Sequence, residues 1–206
     1  MTTPRRPHLP TPWIPHVSAW GKAWLLAGLL TLAHGAAQAQ ADTWTPGNSL
    51  TPVLQSTPHE DVKKLLRQEK YAQALPLVDK YLANNPLDPE MRFWKGFLLE
   101  RLGQEEAARS VYLALTQEHP ELAEPFNNLA VMAARHSDYA QAKEYLEQSL
   151  RANPNDPTAH ENMGDILLQL ARQSYARALS EAPNQRSAAQ KLDLLKPALA
   201  LTEKQP

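Results

Sequence analysis

The residue types able to do chemistry are few, and their spacing does not suit it. The chain has no cysteine, which removes disulfides, iron–sulfur ligation, thiolate zinc sites and cysteine nucleophiles together. His160-Glu161 begins like a helical zinc-hydrolase motif, in which histidines four residues apart grip one metal. Gly164 stands where the second histidine must be. Beyond the first forty residues the other histidines are His59, His119 and His136, and the last two fall at predicted turns, where solvation accounts for them. The seven glycines, at 21, 28, 35, 47, 96, 103 and 164, are too scattered to form a phosphate-cradling loop. Glu105-Glu106 and Glu121 with Glu124 pair carboxylates on predicted first turns and helix surfaces, where negative charge favours the helix dipole. No serine lies in a nucleophile-elbow sequence. These patterns predict a chain without catalytic residues, metal or cofactor.

The scaffold around them is a chain of 206 residues, 43% apolar, with 21 basic and 22 acidic side chains. That is enough apolar material for one ordinary domain, and there is no basic excess to call for nucleic acid. The charge is uneven. Residues 1–39 hold Arg5, Arg6 and Lys22 and no acidic residue, and the rest keeps 18 basic groups against 22 acidic ones. After Lys22 an eleven-residue apolar run, AWLLAGLLTLA, leads into AAQAQAD. A basic segment, a short apolar segment and a small-residue exit form the layout of a Sec-type secretory signal, with cleavage predicted near Ala39 or Ala41. As a helix that run rises only about 16 Å, short of a hydrocarbon core of roughly 30 Å. The expectation is therefore removal of the signal and no membrane insertion afterwards; an uncleaved anchor is the alternative. Five prolines and no serine in residues 1–15 argue against a mitochondrial presequence. Arg5-Arg6 lies too far upstream of the apolar run for twin-arginine export. The stretch 42–57, rich in Thr, Ser and Pro, reads as an extended linker.

From there a fixed period takes over. Pro86, Pro120 and Pro154 stand 34 residues apart, as do Ala74, Ala108 and Ala142. Val62, Gly96, Ala130 and Gly164 keep the same spacing. Asp88-Pro89 and Asp156-Pro157 carry a cap followed by a proline at the first helical place, as does Thr57-Pro58 with Glu60 completing a capping box. Helices are thus predicted to start at about 58, 89, 123 and 157, with Gly103 as a helix stop. Leu129, Met132 and Ala133 in one helix, and Tyr139, Ala142, Leu146 and Leu150 in its partner, each form one apolar stripe. Pro76 is expected near the start of its helix, where the lost hydrogen bond matters least. In the fourth copy the turn between helices is missing five residues. The stripe Met163, Ile166, Leu167, Leu170, Ser174, Tyr175, Ala178 therefore predicts one continuous helix over about 158–181, and a second one at about 185–196 as a cap.

These columns resemble the tetratricopeptide repeat. Residues 123–156 carry the resemblance best, through Phe126, Asn128, Leu129, Ala130, Tyr139, Ala142, Leu146, Leu150 and Pro154; residues 89–122 and 55–88 follow, and 157–183 is degenerate. The resemblance implies an all-α fold, a short right-handed α-solenoid of antiparallel helix pairs over 55–183, with a fused long helix and a capping helix and tail over 184–206. It also implies a concave groove lined by the first helix of each unit, where a peptide or partner helix lies. Carried over by register, the groove residues are His59, Lys63, Leu66 and Arg67, then Phe93, Phe97, Glu100 and Arg101, then Asn127, Val131 and Arg135, then Glu161 and Asp165. Asn128 and Asn162 fall where the family often hydrogen-bonds a ligand backbone, although fixing the neighbouring helices is an equal use for them. Phe93, Trp94 and Phe97 cannot all point into one core stripe, so one or two are expected to face the groove or the adjacent unit. Members that clamp a C-terminal carboxylate use paired cations; the matching places here are His59, Lys63, Trp94, Glu124 and Asn128, or Phe93, Phe97, Asn128, Thr158 and Asn162, and neither set supplies them.

The expected role is a non-catalytic periplasmic or secreted interaction scaffold of Gram-negative type, binding a protein or peptide partner and no nucleic acid, in envelope or secretion assembly. The alternative is an accessory subunit of a cell-wall or polysaccharide-processing enzyme, or a tethered form if the signal stays.

Overall fold

A computed structural model describes residues 56–202; the expected signal and nearly all of the linker lie outside the described residues. Helix dominates from the first cap. Eight helices follow in order: α1 Pro58–Arg67, α2 Tyr71–Leu82, α3 Pro89–Arg101, α4 Glu105–Glu118, α5 Ala123–Arg135, α6 Tyr139–Ala152, α7 Pro157–Glu181 and α8 Arg186–Thr202. Each packs on its neighbour in sequence, as expected of an array in which every unit buries its apolar face on the next. The predicted starts coincide with the observed ones. Asp88 accepts the backbone N–H of Met91 at 2.9 Å, and Asp156 those of Thr158 and Ala159 at 2.9 and 3.3 Å, so the Asp-Pro signals are working caps.

The turns inside the first three units share one geometry. Gly103 sits at φ +77°, its N–H bonding Glu100 O at 3.0 Å while Gln104 N–H reaches Leu99 O at 2.8 Å. This is a Schellman cap. Glu69 (φ 55°) and Ser137 (φ 61°) take the same left-handed place with the same pair of bonds. The column thus recurs every 34 residues although only one member is glycine.

The core forms two apolar clusters. One runs from Val62 through Ala74, Val78, Met91, Trp94 and Tyr112 to Leu129; the other gathers Ala130, Ala142, Leu146, Ala159 and Ile166, and Tyr145 packs against both. At the helix crossings the small-residue column is tight. A Cβ added at Gly96 would stand 2.6 Å from the Tyr112 ring, so glycine here lets α3 and α4 meet.

The fused helix is present: α7 runs unbroken for 25 residues. With no second helix folded back over its first half, Gly164 is exposed and a Cβ there would meet nothing within 4 Å. Two expectations need correction. Pro76 is the sixth residue of α2 rather than near its start, so it removes one intrahelical bond, to the carbonyl of Ala72; that residue is exposed, and water can satisfy the carbonyl. The capping helix does not stop near 196. It continues through Pro197 to Thr202, with Leu199 buried beyond the proline and Asp193, whose carbonyl loses its partner, exposed.

The two glycines should respond with opposite sign. Gly164→Ala is expected to stabilise by about 0.5–1 kcal/mol through helix propensity alone, and Gly96→Ala to destabilise by roughly 1–3 kcal/mol through overpacking against Tyr112. Urea midpoints at constant slope measure both; equal shifts would refute the open and closed crossings described.

Candidate partner-binding groove

The first helices α1, α3, α5 and α7 supply the residues that register assigns to a groove, and the structure sorts these into three groups. Phe93, Trp94 and Phe97 belong to the packed interior: all three are buried. Phe93 lies 5.9 Å, centroid to centroid, from Tyr112, Trp94 lies 5.6 Å from His59, and Phe97 meets Tyr71 edge-on at 5.9 Å. None stands free as an exposed anchor, because neighbouring helices approach closely enough to use every ring. Val131 and Asn128 are buried as well.

The second group is cationic, and Lys63 and Arg101 of it sit over aromatic rings. Arg101 is exposed, with its guanidinium carbon 5.4 Å from the Phe97 centroid and 5.6 Å from that of Tyr71. Arg67 is exposed too. Lys63 Nζ lies 5.4 Å over Trp94 and 3.4 Å from Glu90. His59 is engaged: its Nε2 is 3.2 Å from Asp88, which also accepts the Tyr81 hydroxyl at 3.0 Å. Burial of Tyr81, with Asp88 beside it, raises that phenol above its ordinary pKa.

The third group is a polar floor between successive first helices. Arg135 pairs with Glu100 at 2.6 Å, and the Glu100 side chain is only 4% exposed. The Tyr112 hydroxyl donates to Glu100 at 3.4 Å. Burial first, and Glu100 second, hold Tyr112 well above its usual pKa, while Asn128 beside the hydroxyl opposes the shift. Further along, Asn162 Nδ2 donates to Asn127 Oδ1 at 2.9 Å, with Asn127 completely buried. Asp165 and Glu124, one turn from each amide, both have raised carboxyl pKa values: burial is the main cause, aided by Glu161 for Asp165 and by Asp156 for Glu124.

Sequence reasoning named both arginines and the asparagines, but neither the Glu100–Arg135 nor the Asn127–Asn162 pairing. Each joins residues 35 apart, one period plus one, and that offset is the signal that could have found them. His160, the start of the incomplete metal motif, hydrogen-bonds the Pro154 carbonyl at 2.9 Å. Among the described residues no group of three His, Asp or Glu side chains is placed to hold a metal ion.

The family described as tetratricopeptide repeat matches residues 62–123 and 128–186. The chain belongs to that family. Similar proteins include mouse tetratricopeptide repeat protein 16, 28% identical over 131 residues, which covers 58% of this chain and 17% of that protein. The type IV pilus assembly protein PilF of Pseudomonas aeruginosa is 40% identical over 74 residues, covering 35% of this chain and 29% of PilF. The chain thus spans under a third of the length of either relative. Among solved structures, the first tetratricopeptide domain of human RPAP3 superposes with a TM-score of 0.51 at 20% identity, covering 57% of this chain and 98% of that one. Tetratricopeptide domains bind protein partners, and among the described residues no helix is long and apolar enough to cross a membrane.

Two outcomes follow from the floor. Arg135→Leu leaves the buried Glu100 carboxylate unpaired and should cost about 3 kcal/mol, whereas Glu100→Met with Arg135→Leu should regain most of it; chemical denaturation of both variants decides the matter. The raised carboxyls act in the opposite sense. The native state holds their protons more tightly than the unfolded chain does, so their contribution is stabilising in acid and is lost as pH rises through the native values. Asp165→Asn should therefore raise the melting temperature at pH 7, with the gain shrinking towards acid pH.

Proposed function

We propose that this protein is a non-catalytic scaffold of the cell envelope, exported by its N-terminal signal, whose concave groove holds an extended peptide or partner helix during envelope or secretion assembly. The observation that carries the reading is the exposed Arg101 stacked on Phe97 and Tyr71 with exposed Arg67 on the preceding first helix. A cation pre-positioned over aromatic rings has lost much of its side-chain freedom before a partner arrives, which makes it a good contact point. Family membership supports protein binding. The basic, apolar and small-residue layout of the first 41 residues supports export. Likeness to a pilus assembly protein over about a third of the chain supports an assembly role.

The test compares wild type with Arg67→Glu plus Arg101→Glu in crosslinking and pull-down from envelope extracts, with helicity checked by circular dichroism. Both arginines are exposed, so the variant is expected to fold, and it should lose the partner that wild type enriches. Retention of the same partner would move binding off the groove. N-terminal sequencing of the exported chain should begin just after Ala39 or Ala41; a chain retaining Met1 in the membrane fraction would replace free export with tethering.

A further inference from the structure

The corner where α1 turns into α2 gathers cations that the chain itself does not neutralise. Arg101, the last residue of α3, holds its guanidinium carbon 5.6 Å from the Tyr71 centroid and 5.4 Å from that of Phe97. Tyr71 opens α2, directly after Lys70 and four residues after Arg67, which ends α1. The turn between them is drawn tight, with Glu69 N–H on Leu66 O and Lys70 N–H on Leu65 O, both at 3.0 Å. Lys70 and Arg67 are thereby brought to the ring that Arg101 covers. All three cations are exposed. Among the described residues none of their side chains has an ion pair or a hydrogen bond.

The acids that neighbour them in sequence do not answer this charge. Glu100, next to Arg101, is held by Arg135 at 2.6 Å, and Glu105, just past the turn that ends α3, is joined to His136 at 2.9 Å. Glu69, in the left-handed place of the α1–α2 turn, pairs with none of the three cations. The corner therefore keeps a positive excess, on a chain that beyond residue 39 carries 18 basic groups against 22 acidic ones.

The placement of Arg101 decides what it would hold. Its N–H groups are unused, and they form a planar fork that fits a carboxylate through two parallel hydrogen bonds. The rings beneath it limit its side-chain freedom, so less is lost when a partner arrives. One exposed ion pair contributes little, however, so recognition needs a second acid, on Arg67 or Lys70. In an extended segment alternate side chains share one face about 7 Å apart, which lets two carboxylates address cations gathered at one ring. Resting on the groove reading above, we propose that this corner of the groove docks an acidic segment of a partner protein, with alternate aspartate or glutamate side chains meeting Arg101 and Arg67 and Lys70 adding to the attraction. The acidic stretch is short. The one cation of α5 is Arg135, which Glu100 already holds, so a longer polyanion gains no ion pair there by continuing along the groove.

The test uses the full chain and three short labelled peptides, alternating alanine with glutamate, glutamine or arginine, followed by fluorescence anisotropy at low and raised salt. The glutamate peptide should bind more tightly than the other two and weaken as salt rises. Arg67→Gln with Arg101→Gln, its helicity checked by circular dichroism, should weaken it by about tenfold or more. Lys80→Gln with Arg177→Gln, which removes the same charge from exposed positions elsewhere, should leave it nearly unchanged. A glutamate peptide that binds no better than the glutamine peptide overturns the proposal, as does equal weakening by the two variants. Displacement of the peptide by inorganic phosphate beyond that by chloride of equal ionic strength also overturns it, as does capture by phosphatidylglycerol vesicles that the arginine variant abolishes. The groove reading fails separately. If the envelope partner is lost with Arg67→Glu plus Arg101→Glu but the glutamate peptide does not bind, the groove stands and the acidic segment falls; if the peptide binds through these arginines while that variant keeps the partner, the corner stands and the groove reading is wrong.

Discussion

The array depends on the close approach within its middle units, where a small residue of the first helix lets the second helix lie against it. In the second unit it is the contact of Gly96 with Tyr112, too tight for even one added methyl group. In the third it is Ala130 clustered with Ala142 and Leu146. Because each pair closes at this point, its outer faces are set at a fixed angle to the next pair, and the curvature that creates a concave side follows from repetition alone. The polar floor and the stacked arginine are arranged on a surface that these crossings have already fixed.

The fourth unit shows what happens when the crossing is not closed. Tyr175 keeps the place in the second-helix pattern that Tyr112 holds two units earlier, but the missing turn leaves it eleven residues along the same helix from Gly164. A straight helix separates them by about 16 Å, so they cannot meet. Instead α8 packs on α7, and Lys191 lies 5.7 Å over the Tyr175 ring. The end of the array is thereby covered by a displaced substitute for the absent second helix, shifted towards the C-terminus, which leaves Gly164 open and Leu167 47% exposed.

Much of this was legible in the sequence because it depends on local chemistry. Asp-Pro pairs fixed where α3 and α7 begin, the period fixed the crossings, and the deletion fixed the fused helix. What escaped depends on non-local or permissive choices. Glu69 and Ser137 occupy left-handed turns that only glycine advertises, and the array accepts them because the flanking helices leave the chain no other way to reverse. The register of Phe93, Trp94 and Phe97 was clear, but their burial was not, since α3 is enclosed by α1, α2 and α4 and even its groove side is roofed by long cationic side chains. The helix α8 runs beyond the expected end near 196, because burial of Leu199 outweighs the hydrogen bond that Pro197 removes.

The floor pairings carry the argument from fold to recognition. Glu100–Arg135 ties α3 to α5, and Asn127–Asn162 ties α5 to α7. Ties at successive first-helix junctions resist the flexing that a short solenoid would otherwise allow, so a partner bound in the proposed groove would meet a surface already set and lose less ordering on binding. They also decide what remains free. Arg135 is neutralised where it stands by Glu100, while Arg101 lies over the Phe97 and Tyr71 rings at the other end and has no ion pair among the described residues. The interactions that stiffen the groove are therefore the same ones that give it a direction.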